Sequence, residues 1–200
     1  MPKLVGVRER RHQPYWDSLI RADKDAAPDP LVANETSLFN GRNLGLEYWT
    51  NMNIAGSFAS DNTYVVLALR VWLWFIEGSG QRTASALLMY QLAVHQMYLQ
   101  LIVGDKPQFA AQAWYFPSGG GIWGHDSSTP AMVNGMPSQQ AILKLAKPIA
   151  IPARQHFSVK VNLYDTGATS FRSTYLNAAA DIGLREIKVI VDGIHTRDVL

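Results

Sequence analysis

Several stretches of the chain alternate apolar and polar residues with a period of two, which is typical of half-buried strands. Residues 157–164 show it most clearly, with Phe157, Val159, Val161 and Leu163 on the apolar side. Residues 187–192 repeat the pattern, and we expect the glycine at 193 to close that strand. Residues 143–151 show it with a proline at 148, which indicates an edge strand or a bend. The alternation therefore predicts three strands in the second half of the chain.

Two further regions are rich in β-branched and aromatic residues. Residues 64–76 are apolar on both parities, which predicts a strand covered on both faces. Residues 98–103 end at Gly104-Asp105-Lys106-Pro107, which predicts a strand followed by a turn. We expect residues 109–116 to be the partner strand of that hairpin.

Two segments depart from the strand pattern. Residues 83–95 are full of Ala, Leu, Met and Gln, which are strong helix formers, and predict one helix of about three turns packed against a sheet. Residues 118–137 are rich in Gly, Ser and Pro and predict a long loop. Regular helices do not separate the strands, which argues against a doubly wound parallel sheet. The fold predicted is mainly β: a single jelly roll or β-sandwich with one short helix and an extended N-terminal arm.

Positive charge is concentrated at the start of the chain. The first twelve residues contain one acid, Glu9, and four basic residues: Lys3, Arg8, Arg10 and Arg11. Turn formers and few apolar residues follow, so we predict an extended basic arm or linker over 1–36 and a jelly-roll domain over 37–200. Such an arm is suited to contact nucleic acid or an anionic membrane surface. The alternative is a solvated, frayed terminus.

Composition adds a prediction about assembly. The chain has 200 residues, of which 48% are hydrophobic, so it is long enough for one domain with a substantial core. Only 17% are charged, against about 25% in an ordinary soluble domain. Many glutamines occupy positions where a free monomer would carry charge, and interfaces are depleted in Lys, Glu and Asp. These features favour a subunit that is surrounded by copies of itself.

The sequence lacks the motifs of the common enzyme classes. It has no cysteine, which excludes disulfides and thiolate sites. Ser118-Gly119-Gly120-Gly121 lacks the Lys-Ser/Thr ending of a phosphate-binding loop. Three histidines near predicted strands or loops, His125, His156 and His195, lack the spacing of a cupin-type metal site. We expect no enzymatic activity, no cofactor, no metal and no small-molecule substrate.

Aromatic residues are the more informative candidates. In Trp114-Tyr115-Phe116 at least one ring must leave the core face, since neighbours on a strand point in opposite directions. Trp123 lies in the glycine-rich loop nearby. Exposed, Trp114, Tyr115 and Trp123 would form a protein or ligand interface; alternatively, a second layer covers them.

Short motifs in the second half resemble those of known virion proteins. They are Gly104-Asp105-Lys106, Phe116-Pro117-Ser118-Gly119-Gly120-Gly121, the run IAIPARQHFSV at 149–159 and the ending IKVIVDG at 187–193 with Thr196-Arg197-Asp198-Val199. Over roughly residues 50–200 the chain is similar to single jelly-roll capsid or vertex proteins of icosahedral tailless bacteriophages. The resemblance implies a non-enzymatic shell subunit that assembles with copies of itself and with other virion proteins. It also implies an arm that reaches nucleic acid, an internal membrane surface or a neighbouring subunit.

Two alternatives remain beside the virion interpretation. A carbohydrate-binding or receptor-recognition β-sandwich would use Trp114, Tyr115 and Trp123 as stacking platforms. A cupin-like metalloenzyme would purify with bound metal. The N-terminus has no apolar signal core, and no apolar run is suited to cross a bilayer, so we expect synthesis in a host cytoplasm and a final location in the virion.

Overall fold

The computed structural model describes residues 8–20, 35–60, 62–76, 94–118, 122–123, 133–134, 142–163 and 183–198. Within them the chain is mainly β and forms two antiparallel sheets that face each other as a β-sandwich. In chain order the strands are β1 Arg8–His12, β2 Tyr15–Ile20, β3 Glu35–Leu38, β4 Asn62–Ile76, β5 Met97–Val103, β6 Lys106–Gln112, β7 Ile122–Trp123, β8 Val133–Asn134, β9 Lys144–Ile151, β10 Phe157–Leu163 and β11 Gly183–Asp198.

The first sheet has the order β1-β11-β4-β9, with β2 also pairing β11. The second sheet has the order β3-β10-β5-β6, and β7 and β8 form a separate two-stranded pair. No helix in the described part of the chain is long and apolar enough to cross a membrane.

The core lies between the two sheets. In the first sheet Leu69, Val71 and Leu73 of β4 lie opposite the buried residues Val191, Val189 and Ile187 of β11. In the second sheet, Leu99 and Leu101 of β5 lie opposite Val161 and Val159 of β10. Burying a side chain of this size contributes about 1.5–3 kcal/mol, so these facing rows are the main source of stability.

The strand at 157–163 confirms the period-two prediction, because its burial alternates at every residue. The apolar run at 64–76 is also a strand, and a β-bulge contributes to its double parity. Val66 pairs with Gly193 and Ala68 pairs with Asp192, which leaves Leu67 as an extra residue in β4. This β-bulge shifts the parity, so the core-facing residues are Tyr64 and Val66 before it and Leu69 after it. On the other parity Val65 and Trp72 are half-buried and Ala68 is buried, so cover on both faces stays a prediction.

The expectation that Gly193 closes the last strand is wrong. β11 continues to Asp198, and Gly193 lies opposite the bulge. A Cβ built on Gly193 would lie 2.1 Å from the carbonyl oxygen of Val65. The glycine therefore permits a close approach of two strands and does not mark a turn.

The N-terminal region differs from the predicted arm. β1 and β2 keep the same register along β11, so they form one edge strand that Pro14, which has no N–H, interrupts. Leu19 is buried in the core. Residues 8–20 thus belong to the sandwich, because they pair with β11 in its first sheet and Leu19 lies in its core. Residues 1–7 and 21–34 lie outside the described residues, and for them the arm stays a prediction.

The remaining predictions have mixed outcomes. The hairpin of β5 and β6 is tighter than predicted: Val103 pairs with Lys106 across a two-residue turn, and residues 113–115 form a short 3₁₀ helix instead of strand. Pro148 does lie in an edge strand, β9. The predicted helix at 83–95 lies outside the described residues except for a helical turn at 94–96. Most of the predicted loop at 118–137 also lies outside them.

Candidate functional site

The structure does not bring the predicted basic residues to one face. Arg8, Arg10 and Arg11 lie in β1, at the edge of the first sheet, and Lys3 lies outside the described residues. Arg11 pairs with His195 and therefore points to the core side of the sheet, whereas Arg10 pairs with Thr196 and points to the opposite side. A row of cations on an edge strand also hinders pairing with a further strand. A shared nucleic-acid surface of the three arginines stays a prediction.

Two of the predicted aromatics are exposed side by side. Trp114 and Tyr115 lie in the 3₁₀ helix with exposed fractions of 50% and 42%, whereas Phe116 is buried. Their rings are perpendicular, with centroids 5.4 Å apart. The indole N–H of Trp114 donates to the Gln112 side chain at 2.5 Å. Trp123 lies in β7, and its side chain is outside the described part.

Further apolar side chains are exposed in the segment that follows β3. We call residues 44–54 the apolar loop, because it exposes Leu44, Leu46, Tyr48 and Ile54. Tyr48 is 61% exposed, but contacts with Lys188 fix its position. The ammonium of Lys188 lies 4.7 Å from the Tyr48 ring centroid and donates to the Tyr48 carbonyl at 3.3 Å. The loop thus presents apolar surface from an ordered scaffold.

Asp17 anchors the segment that leads into this loop. Its carboxylate is buried in β2 and accepts hydrogen bonds from the backbone N–H of Phe39 at 2.5 Å and of Ser18 at 3.0 Å. The side-chain amide of Asn43 donates to the same carboxylate at 2.8 Å and to the Ser18 carbonyl at 2.6 Å. Burial raises the pKa of Asp17, and these donors oppose that shift.

A pocket of about 250 Å³ opens at the end of the sandwich where β1 and β11 meet residues 52–62. Its wall combines guanidinium groups, a side-chain amide and aromatic rings; the residues that define it are Arg11, Tyr15, Asn53, Phe58, His195 and Arg197. Because Arg11, Asn53 and Arg197 are exposed, the pocket is open to solvent. We refer to it as the end pocket.

His195 forms the deepest polar group of the end pocket. Its side chain is only 4% exposed, and its Nδ1 lies 3.2 Å from the hydroxyl of Tyr15. The other ring nitrogen, Nε2, is buried without a hydrogen-bond partner. Burial lowers the pKa of His195, and the charges of Arg11 and Arg197 lower it further. The imidazole is therefore neutral at pH 7.

Tyr15 connects the histidine to Arg11. Burial raises the pKa of Tyr15, so its hydroxyl keeps its proton, although the charge and hydrogen bond of Arg11 act in the opposite direction. The Tyr15 hydroxyl and Nδ1 of His195 share one hydrogen bond, whose direction depends on the tautomer of the imidazole. If Tyr15 donates, the proton of the imidazole lies on Nε2. In either tautomer the ring nitrogen Nε2 of His195 is a buried polar atom without a hydrogen-bond partner.

The metal-site alternative receives no support within the described residues. These residues contain no group of three His, Cys, Asp or Glu side chains close enough to hold a metal ion. His195 lies in the end pocket and His156 is exposed next to β10, while His125 is outside the described part. The acidic residue Asp192, on the outer side of the first sheet, contacts the imidazole of His12 and the guanidinium of Arg70.

Comparison with known proteins gives no assignment: no protein family matches the chain, and no curated protein sequence matches it.

Sequence reasoning missed the end pocket although one signal was present. The core-facing parity of β11 runs through Ile187, Val189 and Val191, and the same parity continues to Gly193 and His195. Had the strand been extended past the glycine, it would have placed His195 on the inward face. The contribution of residues 52–62 has no comparable signal, because it depends on how a loop packs against two strands.

Proposed function

We propose that the sandwich is a single jelly roll and that the chain is a structural subunit of a virion. The pairing of the strands supports the first part. Residues 8–20 are counted as one strand, and the two-residue strands β7 and β8 are left out. The eight remaining strands of the described residues, numbered along the chain, then pair first with eighth, second with seventh, third with sixth and fourth with fifth. One long antiparallel hairpin wrapped into two facing sheets has this pairing, and it generates the two Greek keys of a jelly roll.

A jelly roll alone does not decide the function, since capsid proteins, lectins and cupins share it. The observation that carries the virion proposal is the apolar loop on a chain that is poor in charge. Exposed apolar patches rimmed by polar residues mark interaction sites. In this chain the patch coincides with a charged fraction of 17%, which suits a surface that is largely covered by other subunits.

The occupant of the apolar loop in this proposal is a second copy of the chain. Tyr48 is the kind of anchor that dominates interface energies, and Lys188 already holds it in place, so little side-chain freedom is lost on contact. Leu46 extends the same surface. Other virion proteins are further partners, and the location proposed is the virion after synthesis in a host cytoplasm. The proposal includes no catalysis, no cofactor and no small-molecule substrate.

Contact with nucleic acid or an internal membrane surface belongs to the proposal as a second element. Lys3, Arg8 and Arg10 are its candidate residues, together with Arg11. Phosphate contacts by such residues depend strongly on salt. Replacing all three arginines with Ala is expected to reduce packaging or assembly, and unchanged particle yield and nucleic-acid content would remove this role.

A carbohydrate-binding or receptor-recognition module is the second candidate function. The exposed pair of Trp114 and Tyr115 favours it, because sugars stack on exposed aromatic rings. This function predicts a change of Trp fluorescence on addition of glycans, which Trp114→Ala abolishes. The virion function predicts no response to glycans.

Paired serine substitutions test the proposed self-association. Leu46→Ser with Tyr48→Ser removes the centre of the apolar loop, and Gln108→Ser with Ala110→Ser makes a matched change on the exposed edge strand β6. Sedimentation of the two variants and the parent is compared across concentration. We expect the first pair to weaken self-association at least about tenfold, the minimum for losing a central interface anchor, and the second to leave it unchanged. Equal association of all three proteins would contradict the proposal.

A further inference from the structure

We propose that the end pocket binds a small organic anion, with the carboxylate of the ligand at Arg11 and His195 and its apolar body against Phe58. The inference rests on the geometry of the pocket and is independent of self-association. It adds a bound ligand to a protein that is proposed to have no substrate.

The first support is the unpartnered donor. His195 is 4% exposed and its Nε2 has no partner, whereas buried polar groups in folded proteins are almost always paired. The proposal takes the Tyr15 hydroxyl as the donor to Nδ1, which leaves the proton of the imidazole on Nε2. A ligand oxygen would then supply the missing acceptor.

The second support is the charge of the wall. Arg11 and Arg197 both line the pocket, and among the described residues Glu9 accepts from Nε of Arg197 at 2.5 Å. One guanidinium therefore has a carboxylate partner, and the net charge of these three residues is positive. Planar guanidinium groups bind carboxylates through two parallel hydrogen bonds. Asn53 and Asn62 provide neutral donors at the rim.

The third support is the apolar and aromatic part of the pocket. Phe58 lies 5.1 Å from Tyr15 and 5.8 Å from His195, measured between ring centroids. Met52 and Ile54 also line the space. Ligand pockets for drug-sized molecules measure about 300–1,000 Å³, so a pocket of about 250 Å³ fits a smaller molecule with one ring or a short chain. Guanidinium groups and aromatic rings in one pocket select an amphipathic acid.

Binding of benzoate tests this inference on the full-length chain. Benzoate has the carboxylate and the ring, benzamide is its neutral counterpart, and acetate lacks the ring. Isothermal titration at low salt is expected to give binding of benzoate that is at least about tenfold tighter than that of benzamide or acetate, because a charged hydrogen bond and an apolar contact each contribute a factor of this order. Equal affinity for all three probes, or no binding of benzoate, would overturn the inference.

Two substitutions on the same strand locate the site. Arg11→Gln removes a guanidinium from the pocket, and Arg10→Gln removes one from the opposite side of β1. We expect the first to weaken benzoate binding about tenfold and the second to leave it nearly unchanged. Equal weakening by both would reduce the effect to general electrostatic attraction and contradict a defined site.

The imidazole provides a direct readout that needs no substitution in the core. In a ¹⁵N NMR spectrum, benzoate is expected to shift the Nε2 resonance of His195, because that N–H gains an acceptor. His156, which is exposed and outside the pocket, is the internal control. Shifts of equal size at both histidines would exclude a contact at His195. The result does not depend on oligomeric state, so it separates this inference from the proposed virion function.

Discussion

Removal of the Asp17 carboxylate should both destabilise the fold and loosen the apolar loop. Asp17 is 2% exposed and joins β2 to Phe39 and to Asn43 at the start of the following segment. In Asp17→Ala the backbone N–H of Phe39 loses its acceptor, while Asn43 keeps its second bond to the Ser18 carbonyl. The backbone N–H of Ser18 loses the same acceptor, so the perturbation leaves two orphaned backbone donors and one partly satisfied side-chain amide.

The size of the effect follows from these two donors. An unsatisfied buried donor costs about 1–3 kcal/mol, so the two orphaned backbone donors give about 2–6 kcal/mol, which the cost of burying the carboxylate in the parent lowers to about 2–4 kcal/mol. The upper end is reduced because burial raises the pKa of Asp17, which shows that the charged carboxylate is itself costly to bury. The free energy of unfolding should fall by that amount.

Urea denaturation followed by Trp fluorescence measures this change. Glu47→Ala is the matched control, since it removes an exposed carboxylate from the apolar loop. We expect a loss of about 2–4 kcal/mol for Asp17→Ala and less than about 0.5 kcal/mol for Glu47→Ala, as for ordinary surface substitutions. A change below 1 kcal/mol at Asp17, or equal changes at both sites, would refute the reasoning about its hydrogen bonds.

Other predictions concern pH and packing. The pKa of His195 is lowered in the folded state, chiefly by burial. As the pH falls through about 6.5, the unfolded chain therefore binds this proton before the folded chain does. The urea midpoint should decrease below that pH. His195→Phe should show a smaller decrease, and an unchanged pH dependence would contradict the assignment. Gly193→Ala should lower the free energy of unfolding by about 2–3 kcal/mol, because its Cβ would clash with the Val65 carbonyl at a bulge that cannot shift freely. A thermal melting point within 2 °C of the parent would argue against that clash, since about 2–4 °C per kcal/mol is expected for a chain of this size.

The sequence predicted the strands whose burial alternates and failed where two elements meet. Phe157 to Leu163 could be assigned because each residue alternates between core and surface. The edge strand at residues 8–20 was missed because basic residues dominate its first half, which is a pattern that an edge strand shares with a disordered arm. The bulge at Leu67 was missed because a parity shift and burial on both faces produce the same sequence pattern.

For the candidate sites too, local patterns in the sequence were informative and contacts between distant segments were not. The rule that neighbouring side chains on a strand diverge predicted at least one exposed ring among residues 114–116, whereas a 3₁₀ helix exposes both Trp114 and Tyr115. The end pocket could not be predicted, because its polar residues come from three separated parts of the chain. Asp17 carried no signal either: a buried acid in an edge strand is recognised only by the donors around it.

The mass of the purified chain as a function of concentration tests the central proposal most directly. Light scattering, with negative-stain images across salt concentrations, distinguishes a shell or vertex subunit from an isolated module. The account predicts masses above 22.2 kDa that increase with concentration, and rings or closed particles in the images. A monomer of 22.2 kDa at every concentration and salt would contradict it.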